Sequence, residues 1–216
     1  MSTGWPIEPA RAGRQNPMGG RMSEGAVVLL ERVRLPKRHW HTQLSKIPDY
    51  CPHKRVISQW ISDLERNVRT AKGLLLVGEY STGKSGCAAI MLKAAAMRGI
   101  IGLWIRARDL PQFVIEKTPF DEELLMIDRV CQVPLLIIDE VQIRDDIAYS
   151  EQAVENVIRK RLDDEKCTIL TTNHKVVDLK TKYRALTEAL KETVYPVVVS
   201  GFDFRSERAK EIDCVG

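Results

Sequence analysis

One stretch of this chain constrains its fold more than any other: an apolar run, a glycine-rich loop and a helix-forming run follow one another. The loop fits the pattern G-x-x-x-x-G-K-[ST], in which backbone N–H groups cradle phosphates. Before it, Gly73–Val77 has the length and composition of a buried parallel strand, and after it residues 87–97 are rich in helix formers. Because a helix N-terminus attracts phosphate, we predict a phosphate-binding P-loop. Its residues are Gly78, Glu79, Tyr80, Ser81, Thr82, Gly83, Lys84 and Ser85.

Two residues at the end of this loop have the chemistry that a nucleoside triphosphate requires. The ammonium group of Lys84 is long enough to reach the β- and γ-phosphates, and the hydroxyl group of Ser85 is a ligand for Mg²⁺. An ordinary Gly/Ser turn with a chance lysine is the alternative. The order strand, loop, helix favours the P-loop over that alternative.

Length and charge indicate one folded domain with a basic appendage. The chain has 216 residues, of which 44% are hydrophobic and 29% charged, which is typical of globular proteins. Residues 1–55 contain ten Lys/Arg against four Asp/Glu, a net +6, so the rest carries −2 of the total +4. A basic arm on a near-neutral body suggests an anionic partner such as DNA or an acidic protein surface, although a merely solvated tail remains an alternative.

Cysteines and hydropathy argue for a cytoplasmic protein. The five cysteines are scattered and form no C-x-x-C pair, which fits a reducing compartment and disfavours zinc. No run approaches the ~18 apolar residues of a membrane span, and no basic–apolar–small signal pattern appears at the N-terminus of the sequence. We therefore predict no membrane association.

Strands and helices alternate along the chain, which predicts a five-stranded parallel α/β sheet covered by helices on both faces. Residues 24–34 fit either a short helix or a strand. The predicted strands are residues 73–77, 100–105, 135–138, 168–171 and 195–199. The predicted helices are residues 49–72, 87–97, 120–130, 150–162 and 179–193, and a further helix begins at Asp109.

Polar residues follow two of these strands directly, at the sheet edge where ligands bind. Four apolar residues lead into Asp139 and Glu140, as in a Walker B element. Asp139 is the expected Mg²⁺ ligand, and Glu140 the residue that orients the attacking water. Asn173 ends the next strand, which predicts an amide near the γ-phosphate. A capping acidic pair and a turn asparagine are the respective alternatives.

Taken together, these motifs resemble the DnaC/IstB-like branch of the AAA+ ATPases, the helicase-loader branch. The resemblance extends from about residue 35 to residue 206 and is specific in combination. Its matching segments are residues 35–38, 78–85, 135–140, 158–162, 171–173 and 202–205.

The resemblance implies roles for further residues. It makes Asn173 the sensor 1 residue and Arg205 the candidate sensor 2 arginine, which would contact the γ-phosphate. The chain departs from the family at residues 186–190, which read Leu-Thr-Glu-Ala-Leu where an arginine finger is expected. Arg184, Arg159 and Arg161 are alternative candidates for the finger. A missing finger implies weak hydrolysis. The chain also ends soon after Arg205, so we expect no separate lid domain.

The resemblance also implies a function: an ATP-binding and ATP-hydrolysing helicase loader in DNA replication, with ATP and Mg²⁺ as cofactors. Residues 1–34 would form a basic, partly flexible arm that binds a replicative helicase, and residues 35–216 the AAA+ domain. We expect single-stranded DNA as a second partner and a homo-oligomer with ATP or on the partner. Three alternatives stay open: a transposition regulator on duplex DNA, a P-loop kinase for a small metabolite, and a nucleotide-gated adaptor that barely hydrolyses ATP.

Overall fold

The computed structural model describes residues 22–111, 122–142, 148–182, 187–188, 190–191 and 193–201. Its centre is a five-stranded sheet in the order β2-β3-β4-β1-β5 in which every neighbouring pair is parallel. This confirms the predicted fold class. The strands are β1 Gly73–Val77, β2 Gly102–Arg106, β3 Leu135–Val141, β4 Cys167–Thr172 and β5 Val194–Val198.

Helices cover both faces of the sheet. The helices are α1 Glu24–Arg32, α2 Pro52–Ser62, α3 Leu64–Arg69, α4 Lys84–Met97, α5 Glu122–Gln132, α6 Ala148–Asp163 and α7 Val176–Lys182. Short 3-10 turns occur at Lys37–His39, Leu44–Lys46 and Ala107–Asp109.

Alternate residues of the strands enter two separate hydrophobic clusters, one on each face. In β3, Leu135 and Ile137 belong to the cluster that contains α4, whereas Leu136 and Ile138 belong to the cluster that contains α6. Successive side chains of a strand point to opposite faces, so a strand buried on both sides reads as a continuous apolar run. This is why β3 could be recognised in the sequence.

The predicted helix over residues 49–72 is two helices. Helix α2 ends at Ser62 and α3 begins at Leu64, with Asp63 outside helical geometry between them. Trp60 and Leu64 are both buried, so the apolar spacing continues across the break. The side-chain amide of Asn67 donates to the Trp60 carbonyl at 3.1 Å, which satisfies a carbonyl group at the end of α2. Spacing alone therefore could not reveal the break.

The other predicted elements occur with shifted ends. Helix α6 begins at Ala148, before the predicted start at Ser150, and strand β3 continues through Asp139 and Glu140. The predicted helix at 179–193 is represented by α7 and by helical residues 187, 188 and 190. Its predicted end is wrong, because residues 191 and 193 form a turn before β5, and residues 183–186, 189 and 192 lie outside the described residues. The helix expected to begin at Asp109 also falls mostly outside them.

Helix α1, which the sequence grouped with the N-terminal arm, packs against the body. Ser23 caps it by accepting a hydrogen bond from the Ala26 N–H at 3.3 Å. Leu30 and Val33 are buried in the cluster that contains α4, and the Trp104 N–H of β2 donates to the Val33 carbonyl at 2.9 Å. Residues 1–21, the rest of the arm, lie outside the described residues.

Within the described part of the chain, no helix combines the length and apolar composition needed to cross a lipid bilayer. The sheet order instead explains where a site can form. Strand β4 lies between β1 and β3, so the P-loop, the acidic pair and Asn173 follow three adjacent parallel strands at the same edge.

Candidate nucleotide site

The predicted P-loop forms a tight turn that leads into the N-terminus of α4. Gly83 is the N-cap of α4 with a φ of 94°, and Ser81 also has a positive φ, 66°. A Cβ atom on Gly78 would lie 2.2 Å from the carbonyl oxygen of Val199, so a side chain has no room there. The two glycines are thus required by conformation and by close approach respectively. Together they bring the loop round to the N-terminus of α4.

The conserved chemistry of a P-loop depends on a lysine at the start of the helix, and Lys84 lies across the loop. Its Nζ donates to the Glu79 carbonyl at 2.5 Å and lies 3.5 Å from Thr82 Oγ1. The Thr82 hydroxyl also donates to the Glu79 carbonyl, at 2.9 Å. Lys84 is buried while Tyr80, in the same loop, is exposed. The ammonium group is therefore buried against the backbone of the predicted P-loop.

Three side chains and one backbone N–H from three elements meet at the edge of the sheet. Ser85 Oγ donates to Asp139 Oδ1 at 2.8 Å, and Thr171 Oγ1 donates to the same oxygen at 2.7 Å. The Thr171 hydroxyl also accepts a hydrogen bond from the Glu140 N–H at 2.9 Å. The structure therefore brings the P-loop serine and the acidic pair together, although they are far apart in sequence.

Asp139 is buried with one carboxylate oxygen unsatisfied. The residue is 0% exposed, and its Oδ2 has no hydrogen-bond partner among the described residues. Burial raises the pKa of Asp139, whereas the hydrogen bonds from Thr171 and Ser85 act in the opposite direction. A buried anion with a bare oxygen is costly unless a cation or donor approaches it. This oxygen and the adjacent Ser85 hydroxyl are the hard ligands that Mg²⁺ prefers, so the residues fit the metal.

Glu140 lies in a strained backbone conformation. It has a φ of 60°, and the pairing of β3 with β4 shifts register between Ile138 and Val141. A left-handed φ is unfavourable for a residue with a side chain, and such residues concentrate at functional sites. The Thr171 hydroxyl, which accepts the Glu140 N–H, helps to hold this conformation. The Glu140 carboxylate is 37% exposed, so it can contact a water molecule at the site.

Asn173 follows β4 in a bend and is half-buried. Its position is determined by Thr172, whose hydroxyl donates to the Val141 carbonyl at 2.8 Å and accepts from the His174 N–H at 3.1 Å. The structure therefore places Asn173 at the same edge as the acidic pair. Its role as sensor 1 stays a prediction, and Arg205 lies outside the described residues.

One of the candidate arginine fingers is wrong. Arg161 is completely buried and donates to five acceptors, so it is not available to a neighbouring subunit. The acceptors are Thr168 Oγ1 and the carbonyl oxygens of Val130, Cys131, Val133 and Cys167, at 2.7–3.0 Å. Arg159 is half exposed and pairs with Glu155 at 2.6 Å. Arg184 lies outside the described residues.

The sequence interpretation assigned no role in the site to two residues, Thr171 and Arg38. Thr171 connects Asp139 to Glu140; a signal for it existed, because a hydroxyl inside a fully buried strand must find a partner. Arg38 lies with Nη2 3.8 Å from Asp139 Oδ2 and 3.8 Å from Glu140 Oε1. No local pattern could have revealed Arg38, since the contact joins residues about a hundred positions apart.

No protein-family model and no curated protein matches the sequence. Solved structures do match the fold. A crystal structure of the DnaC helicase loader has 22% identity and a TM-score of 0.65, over 76% of this chain and 100% of that one. A candidate primosome component from Streptococcus pyogenes serotype M3 has 24% identity and a TM-score of 0.65, over 84% and 99%.

The replication initiator DnaA, bound to AMPPCP and single-stranded DNA, also matches. It has 18% identity and a TM-score of 0.62, over 83% of this chain and 57% of that chain. Identities this low establish the fold only. The resemblance predicted from the motifs is thus confirmed for the fold: the chain shares the parallel α/β fold of the DnaC and DnaA structures.

Proposed function

We propose that this chain is an ATP-binding AAA+ protein that hydrolyses ATP slowly and acts in DNA replication as a loader of the replicative helicase. The observation that carries the nucleotide part is the hydrogen bond of Ser85 to Asp139, which unites the P-loop with the acidic pair. The loader part is supported by the fold shared with the DnaC helicase loader. Such a protein acts in the cytoplasm, which stays a prediction.

In this proposal each residue has a separate task. The loop N–H groups and Lys84 bind the phosphates, and Ser85 and Asp139 hold Mg²⁺, which neutralises phosphate charge when it is bound. Glu140 orients the attacking water, with its backbone fixed by Thr171. Asn173 and Arg205 would report the γ-phosphate. Residues 186–190 lack the expected finger arginine, which argues for slow turnover unless a partner or DNA stimulates it.

ATP binding is tested by titrating the full chain with a fluorescent ATP analogue in the presence of Mg²⁺. We expect saturable binding that Lys84→Ala weakens by at least about 10-fold, because the variant loses a charge-assisted phosphate contact. Lys54→Ala is the matched control, since Lys54 pairs with Asp49 outside the loop. Equal binding by wild type and Lys84→Ala would contradict the proposed site.

The partner is tested with a chain lacking residues 1–21. This deletion leaves α1 intact, whereas removing residues 1–34 would take Leu30 and Val33 out of the core and confound the result. We expect the shortened chain to bind ATP as wild type does and to lose capture of the replicative helicase from the same host. Unchanged capture would place the helicase contact on the body.

DNA preference separates the loader from the transposition regulator. The loader proposal expects ATP-dependent binding of single-stranded DNA that weakens as salt rises. Preferential ATP-dependent filaments on duplex DNA would contradict it. Rapid turnover without DNA or partner would contradict the slow hydrolysis that we propose.

A further inference from the structure

The segment that joins α1 to the body, residues 35–42, is anchored over helix α4. The Trp40 indole donates to the Leu35 carbonyl at 2.8 Å, and the Thr42 hydroxyl donates to the His39 carbonyl at 2.7 Å. From α4, Lys93 Nζ donates to the carbonyls of Trp40, at 3.0 Å, and of Thr42. We call residues 35–42 the connecting segment. Its backbone is held against the same helix that begins at the P-loop.

The connecting segment also directs one guanidinium group toward the acidic pair. The ring of His39 lies 5.6 Å from the ring of Trp104 in β2, and its Nε2 accepts a hydrogen bond from Arg38 Nε at 3.0 Å. With Nε held in this way, Arg38 Nη2 forms ion pairs with both Asp139 Oδ2 and Glu140 Oε1, each at 3.8 Å. The unsatisfied oxygen of Asp139 is therefore the one that faces Arg38.

The charges explain why this arrangement matters. Asp139 and Glu140 are adjacent carboxylates, and Asp139 is completely buried, so the pair requires positive charge nearby. Arg38 supplies it from a side chain that is 45% exposed. A half-exposed arginine can change rotamer without disturbing the core. A planar guanidinium also binds phosphate oxygens well, because its donors match two of them at once.

We propose that Arg38 is a further residue of the nucleotide site and that it exchanges partners. It pairs with Asp139 and Glu140 in the nucleotide-free protein, and it moves to the terminal phosphate of ATP when a metal ion replaces it at the carboxylates. This inference rests on the proposed function, because it assumes that ATP binds at the P-loop. Without nucleotide, Arg38 and the metal ion compete for the same carboxylate oxygens. With ATP bound, they act together, because both neutralise the charge of the phosphates. The sequence did not settle which arginine acts as the finger. In this proposal the chain itself supplies an arginine to its own nucleotide site.

The proposed exchange of partners predicts that one substitution of Arg38 changes the affinity for a metal ion and the affinity for ATP in opposite directions. Removing the Arg38 charge frees the carboxylates, so a divalent cation binds the nucleotide-free protein more tightly. The same substitution removes a phosphate partner, so ATP binds more weakly. A purely structural role for Arg38 would weaken both, or neither.

The test compares Arg38→Met, Arg38→Lys and the matched control Lys37→Met. Lys37 is the neighbouring cation in the same segment and lies 5.7 Å from the centre of the Trp40 ring. Mn²⁺ binding to the nucleotide-free chain is measured by the electron paramagnetic resonance signal of free Mn²⁺. Binding of a fluorescent ATP analogue is measured with Mg²⁺, and thermal unfolding confirms that each variant is folded.

We expect Arg38→Met to bind Mn²⁺ about 3- to 10-fold more tightly than wild type. We expect it to bind the ATP analogue about 10-fold more weakly. Arg38→Lys should match wild type for Mn²⁺ and lie between the two for ATP, since it keeps the charge but not the planar donors. Lys37→Met should match wild type in both.

Either of two results would overturn the exchange: Mn²⁺ affinity of Arg38→Met no higher than that of Lys37→Met, or ATP affinity equal to that of wild type. The proposed function fails separately. A wild-type chain that binds no ATP analogue would refute the nucleotide site itself, whatever the Arg38 variants do.

Discussion

A buried charge lies against each end of strand β4, and the fold satisfies these two charges to different extents. At the amino end, the Arg161 guanidinium is completely buried and all five of its acceptors lie within 2.7–3.0 Å. At the carboxyl end, Asp139 is equally buried, but its Oδ2 has no hydrogen-bond partner among the described residues. The Arg161 charge is fully satisfied by hydrogen bonds, whereas Asp139 Oδ2 has only a 3.8 Å ion pair with the half-exposed Arg38.

This difference separates a structural charge from the charge that we propose to hold a metal ion. Arg161 satisfies carbonyl groups at the end of α5 and at the start of β4, so it joins the helix layer to the sheet. Burial lowers the pKa of Arg161 to about 10, which still leaves it charged at neutral pH. Asp139 retains an oxygen for a ligand and is correspondingly destabilising. Functional sites often carry such a cost in stability.

The largest expected effect on stability is at the amino end of β4, where Arg161 is fully hydrogen-bonded. Arg161→Met should destabilise the protein by about 3–5 kcal/mol, because buried acceptors would lose their donor. Thermal or urea unfolding measures this loss. Arg159→Ala is the control, since that exposed helical pair with Glu155 is worth no more than about 0.5 kcal/mol. Similar losses in the two variants would remove the basis of the comparison.

A matched pair of threonines, one at each end of β4, tests the same difference between the two buried charges. Thr168 accepts from Arg161 Nε at 2.9 Å, while Thr171 donates to Asp139 at 2.7 Å, three residues along the same strand. Each Thr→Val change should cost about 1–2 kcal/mol of stability. Thr171→Val should in addition lower ATP turnover by about 10- to 100-fold, because Glu140 loses the acceptor of its N–H. Thr168→Val should keep the ATP turnover of wild type. An equal loss of turnover in both variants would show that the two ends of β4 do not differ in their effect on the nucleotide site.

At the carboxyl end of β4, replacing Asp139 by its neutral isostere should raise the free energy of unfolding instead of lowering it. Asp139→Asn removes a buried charge while keeping an acceptor for Ser85 and Thr171. We expect a gain of about 1 kcal/mol in the free energy of unfolding without metal, together with loss of Mg²⁺-dependent ATP turnover. Destabilisation as large as that of Arg161→Met would show that the two ends do not differ.

The smallest effect concerns a third buried polar side chain, His53. It is 1% exposed, and neither ring nitrogen has a hydrogen-bond partner within the described residues. Burial lowers the pKa of His53 below its usual 6.5, so the folded protein favours the neutral ring. The unfolded chain takes up the proton first as pH falls, and stability is therefore lost below about pH 6.5.

His53→Phe should flatten this pH dependence of the unfolding midpoint between about pH 7.5 and 5.5. His41→Asn, at an exposed position, should retain the slope of wild type. An unchanged slope in His53→Phe would mean that another group titrates.

Local patterns predicted most of the elements but not all of their ends. Strands β1 and β3 were readable because they are buried on both faces, and the start of α4 because a P-loop precedes it. The break at Asp63 escaped prediction because the buried positions Trp60 and Leu64 keep helical spacing across it. The early start of α6 at Ala148 shows the usual imprecision of helix ends.

The site was predictable in part for a similar reason. Lys84, Ser85, Asp139 and Glu140 sit in motifs that can be read locally, and parallel strand ends predicted that they would meet. The roles of Thr171 and Arg38 depend on partners that are distant in sequence. Arg161 was one of the candidate arginine fingers, and only its burial showed that it is structural.

The sequence by itself determined the P-loop, the acidic pair and a parallel α/β sheet, because each depends on chemistry or periodicity within a few neighbouring residues. Tertiary structure alone decided which charges are satisfied. Arg161 lies among charged residues of α6 and Asp139 follows an apolar run, yet both are completely buried, and what the folded chain places around them decides whether each is satisfied. The cost of a buried charge depends on its partners, and those partners come from distant segments.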